Sequence, residues 1–269
     1  MKDFFTKLYR FSNSWTGTIV IVLFVIFFIA QAFRIPSGSM KDTLLIGDNL
    51  FAKKFAYGIS MPHIPFIEVS IMPWSDSLRL FDGDKPQRGD IVIFRPPHNT
   101  KTHYVKRCVA VGGDELFVEE KNLYLHHHEG DEWIKEHFKG YEIVKFGHKL
   151  WVKNPYMKEH PGIHHDEKII DDGRHPRPIF FLSPIKVREN NFFMMGDNRD
   201  HSNDSRFWGS VPYDNVEGTP WFIYFSMDKN YEIRWDRIGK TPTDLEQPEH
   251  LNKAIKERIR DDKNDHGLY

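Results

Sequence analysis

Cysteine is almost missing from this chain of 269 residues, in which Cys108 is the only one. A lone cysteine excludes an internal disulfide and leaves no cysteine cluster to complete a metal site. Excess charge is missing as well, because 37 basic and 38 acidic side chains leave a formal net charge of -1. Such a balance provides no field that attracts a polyanion, so we expect no nucleic-acid partner.

Metal-binding signatures are also lacking. No H-E-x-x-H motif occurs, although the chain contains 15 histidines, some of them in the runs His126-His127-His128 and His164-His165. Adjacent residues on a strand point to opposite faces of the sheet, which does not suit a shared metal ion. We therefore expect a solvated, histidine-rich loop, no metal site and no cofactor.

One stretch lacks charged side chains altogether: WTGTIVIVLFVIFFIAQAF, residues 15–33. As a helix it would be about 28 Å long, close to the hydrocarbon thickness of a bilayer. Trp15 and Arg34 flank it as interfacial anchors do. Residues 30–32 also match the A-x-A cleavage site of a signal peptide, but the apolar run is longer than the core of such peptides. The sequence thus predicts an uncleaved transmembrane helix over residues 15–33. Basic residues on both sides leave its orientation open.

The chain after residue 33 is predicted to be mostly β. The runs GDIVIF (89–94), HYVKRCVAV (103–111) and PWFIYFS (220–226) are typical of buried strands, because each is apolar and most are bounded by Gly or Pro. Two further segments, NLFAKKFAYG (49–58) and EIRWDRIG (232–239), are interpreted as strands as well.

The larger β domain is predicted to be interrupted. Four prolines make residues 59–87 a loop-rich excursion, and residues 119–187 are interpreted as a smaller, more polar β subdomain. This insertion would divide the larger domain into residues 34–118 and 188–240. Residues 241–269 form a charged tail, in which an apolar stripe at helical spacing predicts a short amphipathic helix: Leu251, Ile255 and Ile259.

The segment FRIPSGSMKDTL (33–44) follows the apolar run directly and presents Ser37 and Ser39 on either side of Gly38. A Pro-x-Gly sequence is a common turn, and the turn could either lead the chain away from the lipid or aim a hydroxyl at its surface. No G-x-S-x-G elbow surrounds either serine.

Lys106 is a charged residue within the apolar run HYVKRCVAV. If its amine is buried, desolvation lowers its pKa, because burial disfavours the charged form. A lysine that is neutral near pH 7 can activate a serine as a general base. The alternative is a lysine whose stem is buried while its amine reaches the surface.

Together these segments resemble bacterial type I signal peptidase, a membrane-bound serine protease. The resemblance rests on five blocks in the family's order after an apolar anchor, with IRWDRIG near the end: IPSGSM, RGDIVIF, YVKR before Gly-Gly-Asp, GDNRDHSNDSR and FWGSVP. It implies removal of signal peptides from preproteins emerging from the export machinery, through an acyl-enzyme. It also implies a monomer in the bacterial inner membrane, with residues 1–14 in the cytoplasm and the catalytic domain outside.

The resemblance also assigns roles to individual residues. Ser39 would be the nucleophile and Lys106 the general base, while the Ser37 hydroxyl and the Ser39 N–H would form the oxyanion hole. Ser202 would orient the lysine amine, and Asp204 and Arg206 would support the loop. The expected substrate-binding positions, which accept small residues at -1 and -3, are Phe33, Ile35, Pro36, Met40, Leu44, Leu50, Ile93, Tyr104 and Val105.

Three positions depart from the family's pattern. Asp42 stands where many members carry proline, and His201 and Asn203 fall at variable places of the last loop; none of the three touches an assigned role. Two other functions remain open. The chain could be a catalytically silent, membrane-anchored peptide-binding module, or a self-processing Ser–Lys protease that cuts at residues 30–32.

Overall fold

A computed structural model describes residues 2–61, 63–64, 69–70 and 79–264. Its strands are β1 (Ala30–Arg34), β2 (Asp48–Lys53), β3 (Gly58–Ser60), β4 (His63–Ile64), β5 (Val69–Ser70), β6 (Arg79–Asp82), β7 (Ile91–Phe94), β8 (Tyr104–Val111), β9 (Glu115–Glu119), β10 (Asn122–His126), β11 (Ile143–Phe146), β12 (Lys149–Lys153), β13 (Phe181–Lys186), β14 (Asn191–Met195), β15 (Val211–Pro212) and β16 (Val216–Ser226). Its α-helices are α1 (Lys2–Ser12), α2 (Trp15–Phe24), α3 (Asp131–His137), α4 (Ser205–Trp208), α5 (Pro242–Leu245) and α6 (Pro248–Asn264).

The larger sheet is antiparallel and has the strand order β1-β2-β16-β7-β8-β14-β15 within the described residues. At its centre β7 is buried throughout, as its continuous apolar sequence predicts. Ile91 and Ile93 pack in one core with Met40, whereas Val92 and Phe94 pack in a second core. Alternate residues of a strand point to opposite faces, so both faces of this sheet are covered. The apolar run therefore places β7, and its neighbour β8, in the interior.

The smaller sheet has the order β11-β12-β10-β9-β13 and is built from the predicted insertion and the residues just before it. Strand β8 leads into β9 through a turn at Gly112 and Gly113, which joins the two sheets. Helix α3 was not predicted; its Ile134 packs with Phe138 and Val152 in a separate small core.

The N-terminal apolar run differs from the prediction of one helix over residues 15–33. The chain is helical from α2 through a π-helical turn, Val25–Ile29, and then becomes strand β1. Residues of β1 pair with β2 from Ala30 opposite Lys53 to Arg34 opposite Asn49. Backbone pairing with β2 thus makes residues 30–34 a strand, although the apolar pattern predicted a helix up to residue 33. No helix in the described part of the chain is both long and apolar enough to cross a membrane.

The strand predicted at residues 232–239 is wrong. This segment contains the 3-10 helix Trp235–Arg237, and Ile233 makes only an isolated bridge with Met227. The buried Arg237 pairs with Asp48 over 2.7 Å, which fixes this turn against the first residue of β2. The predicted C-terminal helix is present as α6, where Leu251 is buried and Ile259 is exposed.

Residues 59–87 contain short strands that the sequence did not predict. Strand β3 pairs with β6, and β4 pairs with β5. The remainder of the predicted loop-rich excursion includes residues 62, 65–68 and 71–78, which lie outside the described residues.

Candidate active site

The serine turn follows β1 closely and is fixed by a loop that is distant in sequence. Its Gly38–Met40 segment forms a 3-10 turn, in which Ser39 is buried. The Asn198 side chain donates to the Gly38 carbonyl over 3.0 Å, and the Asn198 backbone N–H donates to the Ser39 carbonyl over 3.1 Å. Asn198 thus binds two successive carbonyls and fixes the backbone that carries Ser39.

Lys106 of β8 points at this serine. Its Nζ donates to Ser39 Oγ over 2.6 Å and to the Val105 carbonyl over 3.0 Å. The lysine is only 4% exposed. Burial lowers the pKa of Lys106 to about 8, although the charges of Asp204 and Asp197 act in the opposite direction. The amine is therefore a base that can lose its proton near neutral pH, as the sequence predicted, and it lies within reach of a hydroxyl.

The glycine that the turn needs is Gly196 and not Gly38. A Cβ on Gly196 would lie 2.3 Å from Ser202 Oγ and 2.5 Å from the Ser39 carbonyl oxygen, so only glycine fits between them. At Gly38 a Cβ would approach Ile46 and Lys41 no closer than 3.8 Å. The φ of Gly38 is also outside the left-handed region. Gly38 belongs to the predicted Pro-x-Gly turn, but neither its surroundings nor its φ requires a glycine there.

The supporting residues Asp204 and Arg206 form a buried ion pair. Arg206 Nε and Nη2 each donate to the Asp204 carboxylate over 2.8 Å, and the Gly196 N–H donates to the same carboxylate over 3.0 Å. Burial would raise the pKa of Asp204, but the Arg206 guanidinium lowers it below its ordinary value. No hydrogen bond joins Ser202 to Lys106 within the described residues, although the resemblance implied one, and the amine donates to Ser39 and Val105.

A second buried ion pair lies behind the lysine and was missed from the sequence. Arg107 donates to both oxygens of Asp197 over 2.8 and 2.7 Å, and Thr43 donates to Asp197 over 2.6 Å. Arg107 also donates to Glu246 over 2.5 Å. Arg107 and Thr43 lie near the catalytic candidates in sequence. Their acidic partners are 90 or more positions away in the chain, so no local pattern could have paired them.

A cleft of about 670 Å³ opens over Ser39 and Lys106. Besides these two, it is lined by predicted positions: Phe33, Ile35, Pro36, Ser37, Met40, Tyr104 and Val105. The other predicted positions, Leu44, Leu50 and Ile93, are almost completely buried in the core and do not line the cleft. The lining residues that the sequence did not assign are Arg34, Thr102, His103, His201 and Asn203. His201 and Asn203 stood out in the sequence as departures from the family's pattern, and this was a signal that could have assigned them to the cleft.

His103, in the wall of the cleft, contacts an ion pair that lies outside the cleft lining. His103 Nε2 lies 2.8 Å from Glu217, which also pairs with Arg95. Burial would raise the pKa of Glu217, but His103 and Arg95 lower it to about 2. The His103 ring also contacts Phe33, with ring centroids 5.0 Å apart. The position of His103 just before β8 places it beside the substrate-binding candidates.

One group in the described part of the chain has metal-ligand geometry: Asp114, His127 and Glu129 each offer an atom within 4.8 Å of the others. However, Arg88 already occupies the space between the carboxylates. Its Nη2 donates to Asp114 over 2.6 Å and to Glu129 over 2.9 Å. This arrangement is an ion-pair network that ties the smaller sheet to the larger one.

His127 corrects the expectation that the histidine-rich segment is solvated. It is 1% exposed and packs against Trp133 and Phe138, with ring centroids 4.8 Å away in each case. Burial and the nearby Arg88 lower the pKa of His127 to about 3, so the imidazole is neutral. Its role here is that of an aromatic core residue.

Comparisons with known proteins find relatives that are similar over most of this chain. A signal peptidase I of Helicobacter pylori is 44% identical, over 91% of this chain and 96% of that protein. One from Pseudomonas aeruginosa is 32% identical, over 81% of this chain and 73% of that protein. The crystal structure of a signal peptidase I from Enterococcus faecalis is 21% identical, covering 51% of this chain and 97% of that chain, and its TM-score of 0.32 is too low to support an argument.

A family model covers most of the same region. The model described as "Signal peptidase, peptidase S26" matches residues 8–225, which include both Ser39 and Lys106. The match spans well over half of the chain, and the relatives are similar over most of their own length. The chain belongs to the signal peptidase family S26.

Proposed function

We propose that this chain is a serine endopeptidase that removes N-terminal signal peptides from exported preproteins. The observation that carries the proposal is the 2.6 Å contact between the buried Lys106 amine and the Ser39 hydroxyl, at the base of an open cleft. A nucleophile and a base in direct hydrogen bond are the minimum set for acyl transfer. Family membership makes signal peptides the substrate that this site is expected to receive.

The geometry supports a two-step reaction. When the lysine is neutral, its amine takes the Ser39 proton as Oγ attacks the scissile carbonyl carbon. The resulting oxyanion would be stabilised by the Ser39 N–H and the Ser37 hydroxyl, which lines the same cleft. Collapse breaks the peptide bond, Lys106 gives its proton to the leaving amine, and an ester on Ser39 remains. Water, deprotonated by Lys106, then attacks this ester and releases the signal peptide with a new carboxylate.

Substrate backbone has a place to bind beside the lysine. Residues 104–106 pair with β7 on one side, but the pairing between β14 and β8 stops at Arg107 opposite Met195. An extended peptide can therefore add to β8 in this gap, by β-augmentation. The apolar walls formed by Phe33, Ile35 and Val105 would accept small side chains at -1 and -3 and exclude larger ones.

The N-terminal apolar segment is proposed to hold the enzyme at the bacterial inner membrane, with a single crossing and the catalytic domain on the extracytoplasmic side. Large apolar side chains of α2 are exposed: Trp15 is 88%, Ile19 56% and Phe24 54% exposed. Contiguous apolar surface of this kind is unfavourable in water and suits contact with lipid. The site follows this segment closely in sequence, so it would lie near the bilayer where signal peptides reside.

The proposal is tested with Ser39→Ala and Lys106→Ala, each assayed for cleavage of a preprotein by the detergent-solubilised protein. We expect near-complete loss in both, because each removes one member of the dyad. Ser210→Ala is the control, since its hydroxyl contacts Asn191 away from the cleft. A wild-type chain that binds the preprotein without cutting it would favour the silent binding module. Full activity of Lys106→Ala would overturn the base assignment.

The self-processing alternative requires a rearrangement. Residues 30–32 are held in β1 by pairing with β2, so β1 would have to detach before these residues could enter the cleft as substrate. The mass of the purified chain distinguishes self-processing from cleavage of other proteins alone, since self-cleavage would leave Phe33 as the first residue.

A further inference from the structure

The turn that carries Ser39 continues into a buried carboxylate, Asp42. Asp42 is 1% exposed and has a φ of 79°, in the left-handed region. Around it the backbone is closed by hydrogen bonds from the Leu44 and Thr43 N–H groups to the Met40 carbonyl, at 2.7 and 3.1 Å. Because this segment is short and closed, we expect a shift of Asp42 to move Ser39 as well.

Two basic side chains reach Asp42 from separate parts of the chain: Arg258 as a cation, and His164, whose pKa burial lowers below its ordinary value. Arg258 of helix α6 donates to Asp42 Oδ1 over 3.1 Å, and His164 Nδ1 of the inserted region lies 3.2 Å from Asp42 Oδ2. Lys41 is the other charged group near this carboxylate. A buried carboxylate that loses its partner is strongly unfavourable, so Arg258 holds Asp42 where it is.

The C-terminal segment also contacts the lysine side of the dyad. Glu246 follows α5 and pairs with Arg107, which is adjacent to Lys106 in β8. Leu245 is completely buried in the core that contains Met40. The segment therefore touches the neighbours of both catalytic candidates, although it lies beyond the residues 8–225 that the family model matches.

We propose that Asp42 and Arg258 are positioning residues, whose ion pair holds the serine turn so that Ser39 stays within hydrogen-bond distance of Lys106. The proposal rests on the proposed function, since it concerns the same nucleophile. Catalysis by a dyad is sensitive to small displacements: a misplacement of about 1 Å can cost on the order of 100-fold in rate.

The test is a double-mutant cycle. Asp42→Asn keeps the shape and tolerates a positive φ, and Arg258→Gln removes the cation. We expect each to lower kcat about tenfold with KM nearly unchanged, because the turn moves while the cleft remains. The double variant should lose no more than either single variant, and Arg258→Lys should recover most of the activity. Lys253→Gln is the matched control, since it lies on the same helix but pairs with Asp236 over 3.2 Å.

A second measurement is independent of activity. Hydrogen exchange at residues 38–45 should be faster in Asp42→Asn and Arg258→Gln than in the wild type and Lys253→Gln, at equal thermal stability. Unchanged exchange together with unchanged kcat, losses that multiply in the double variant, or a rise in KM alone would overturn the positioning role. A wild-type chain that cleaves no preprotein would instead contradict the proposed function, and exchange would then decide whether the pair holds the turn.

Discussion

At the scale of the residue, burial of the Lys106 amine costs free energy of folding, and the same burial makes the amine unusually ready to lose its proton. Its amine has left water for hydrogen bonds to Ser39 and the Val105 carbonyl. Burial lowers its pKa from 10.5 to about 8. Below pH 8 the amine is protonated in both the folded and the unfolded chain, and the full cost of burying a charge applies. That cost is about 3 kcal/mol at 1.36 kcal/mol per pKa unit.

Replacing the lysine should therefore stabilise the fold while it abolishes activity. Lys106→Met is expected to raise the free energy of unfolding at pH 7 by about 1–3 kcal/mol, because a similar volume is buried without charge. Between pH 8 and 10.5 the folded chain loses this proton and the unfolded chain keeps it, so wild-type stability rises and the difference shrinks. Urea unfolding at several pH values measures this difference in the free energy of unfolding between the wild type and Lys106→Met.

Lys135→Met is the control, because Lys135 is exposed. It should change the free energy of unfolding by less than about 0.5 kcal/mol. A Lys106→Met variant that is less stable than the wild type at pH 7 would show that the amine is not buried at a cost.

The sequence revealed some site residues and concealed others for a physical reason. Lys106 was visible because a charge inside an apolar strand is locally inconsistent, and inconsistency of this kind is expected at functional sites. The pairing of Arg258 with Asp42 was not visible, since the two are 216 positions apart, although Asp42 stood out as a departure from the family's pattern. A left-handed aspartate has no sequence signature of its own. Long-range ion pairs depend on the tertiary fold, which local patterns do not specify.

At the scale of the element, strands buried on both faces were predicted well and mixed segments were not. β7 and β8 match their apolar runs to within two residues. The segment 232–239 alternates like a strand, but Arg237 is buried on Asp48 and not exposed to solvent. Residues 30–34 continue an apolar run but form β1, because a partner strand was available. The pattern shows which residues avoid water and leaves open which backbone partner they find.

The loop around Gly196 gives a prediction at this scale. Gly196→Ala should lower kcat on the order of 100-fold, because the added Cβ must displace Ser202 or the Ser39 carbonyl. Gly38→Ala is the control and should retain activity within a few-fold, since its Cβ meets only ordinary contacts. Kinetics on one preprotein compare them. Equal losses in the two variants would contradict the steric argument.

At the scale of the whole molecule, the catalytic turn is held from several sides. The inserted region reaches its back through His164, and the C-terminal helix reaches it through Arg258. The front is the open cleft, lined by residues 102–106 and by His201 and Asn203. Residues before β1 contribute nothing to the lining of this cleft among the described residues. The parts that shape the site and the part proposed to bind lipid are therefore separable.

This separation predicts how a chain without residues 2–29 should behave. With a short soluble peptide, its kcat/KM should stay within about threefold of the full chain, because the site remains complete. With a preprotein embedded in lipid vesicles, cleavage should fall on the order of 100-fold, because the enzyme and substrate no longer share one surface and lose their effective concentration. Joining an unrelated transmembrane helix before residue 30 should restore the rate, since the effect requires only tethering. If the shortened chain processed the embedded preprotein as fast as the full chain, the apolar segment would not be what brings the enzyme to its substrate.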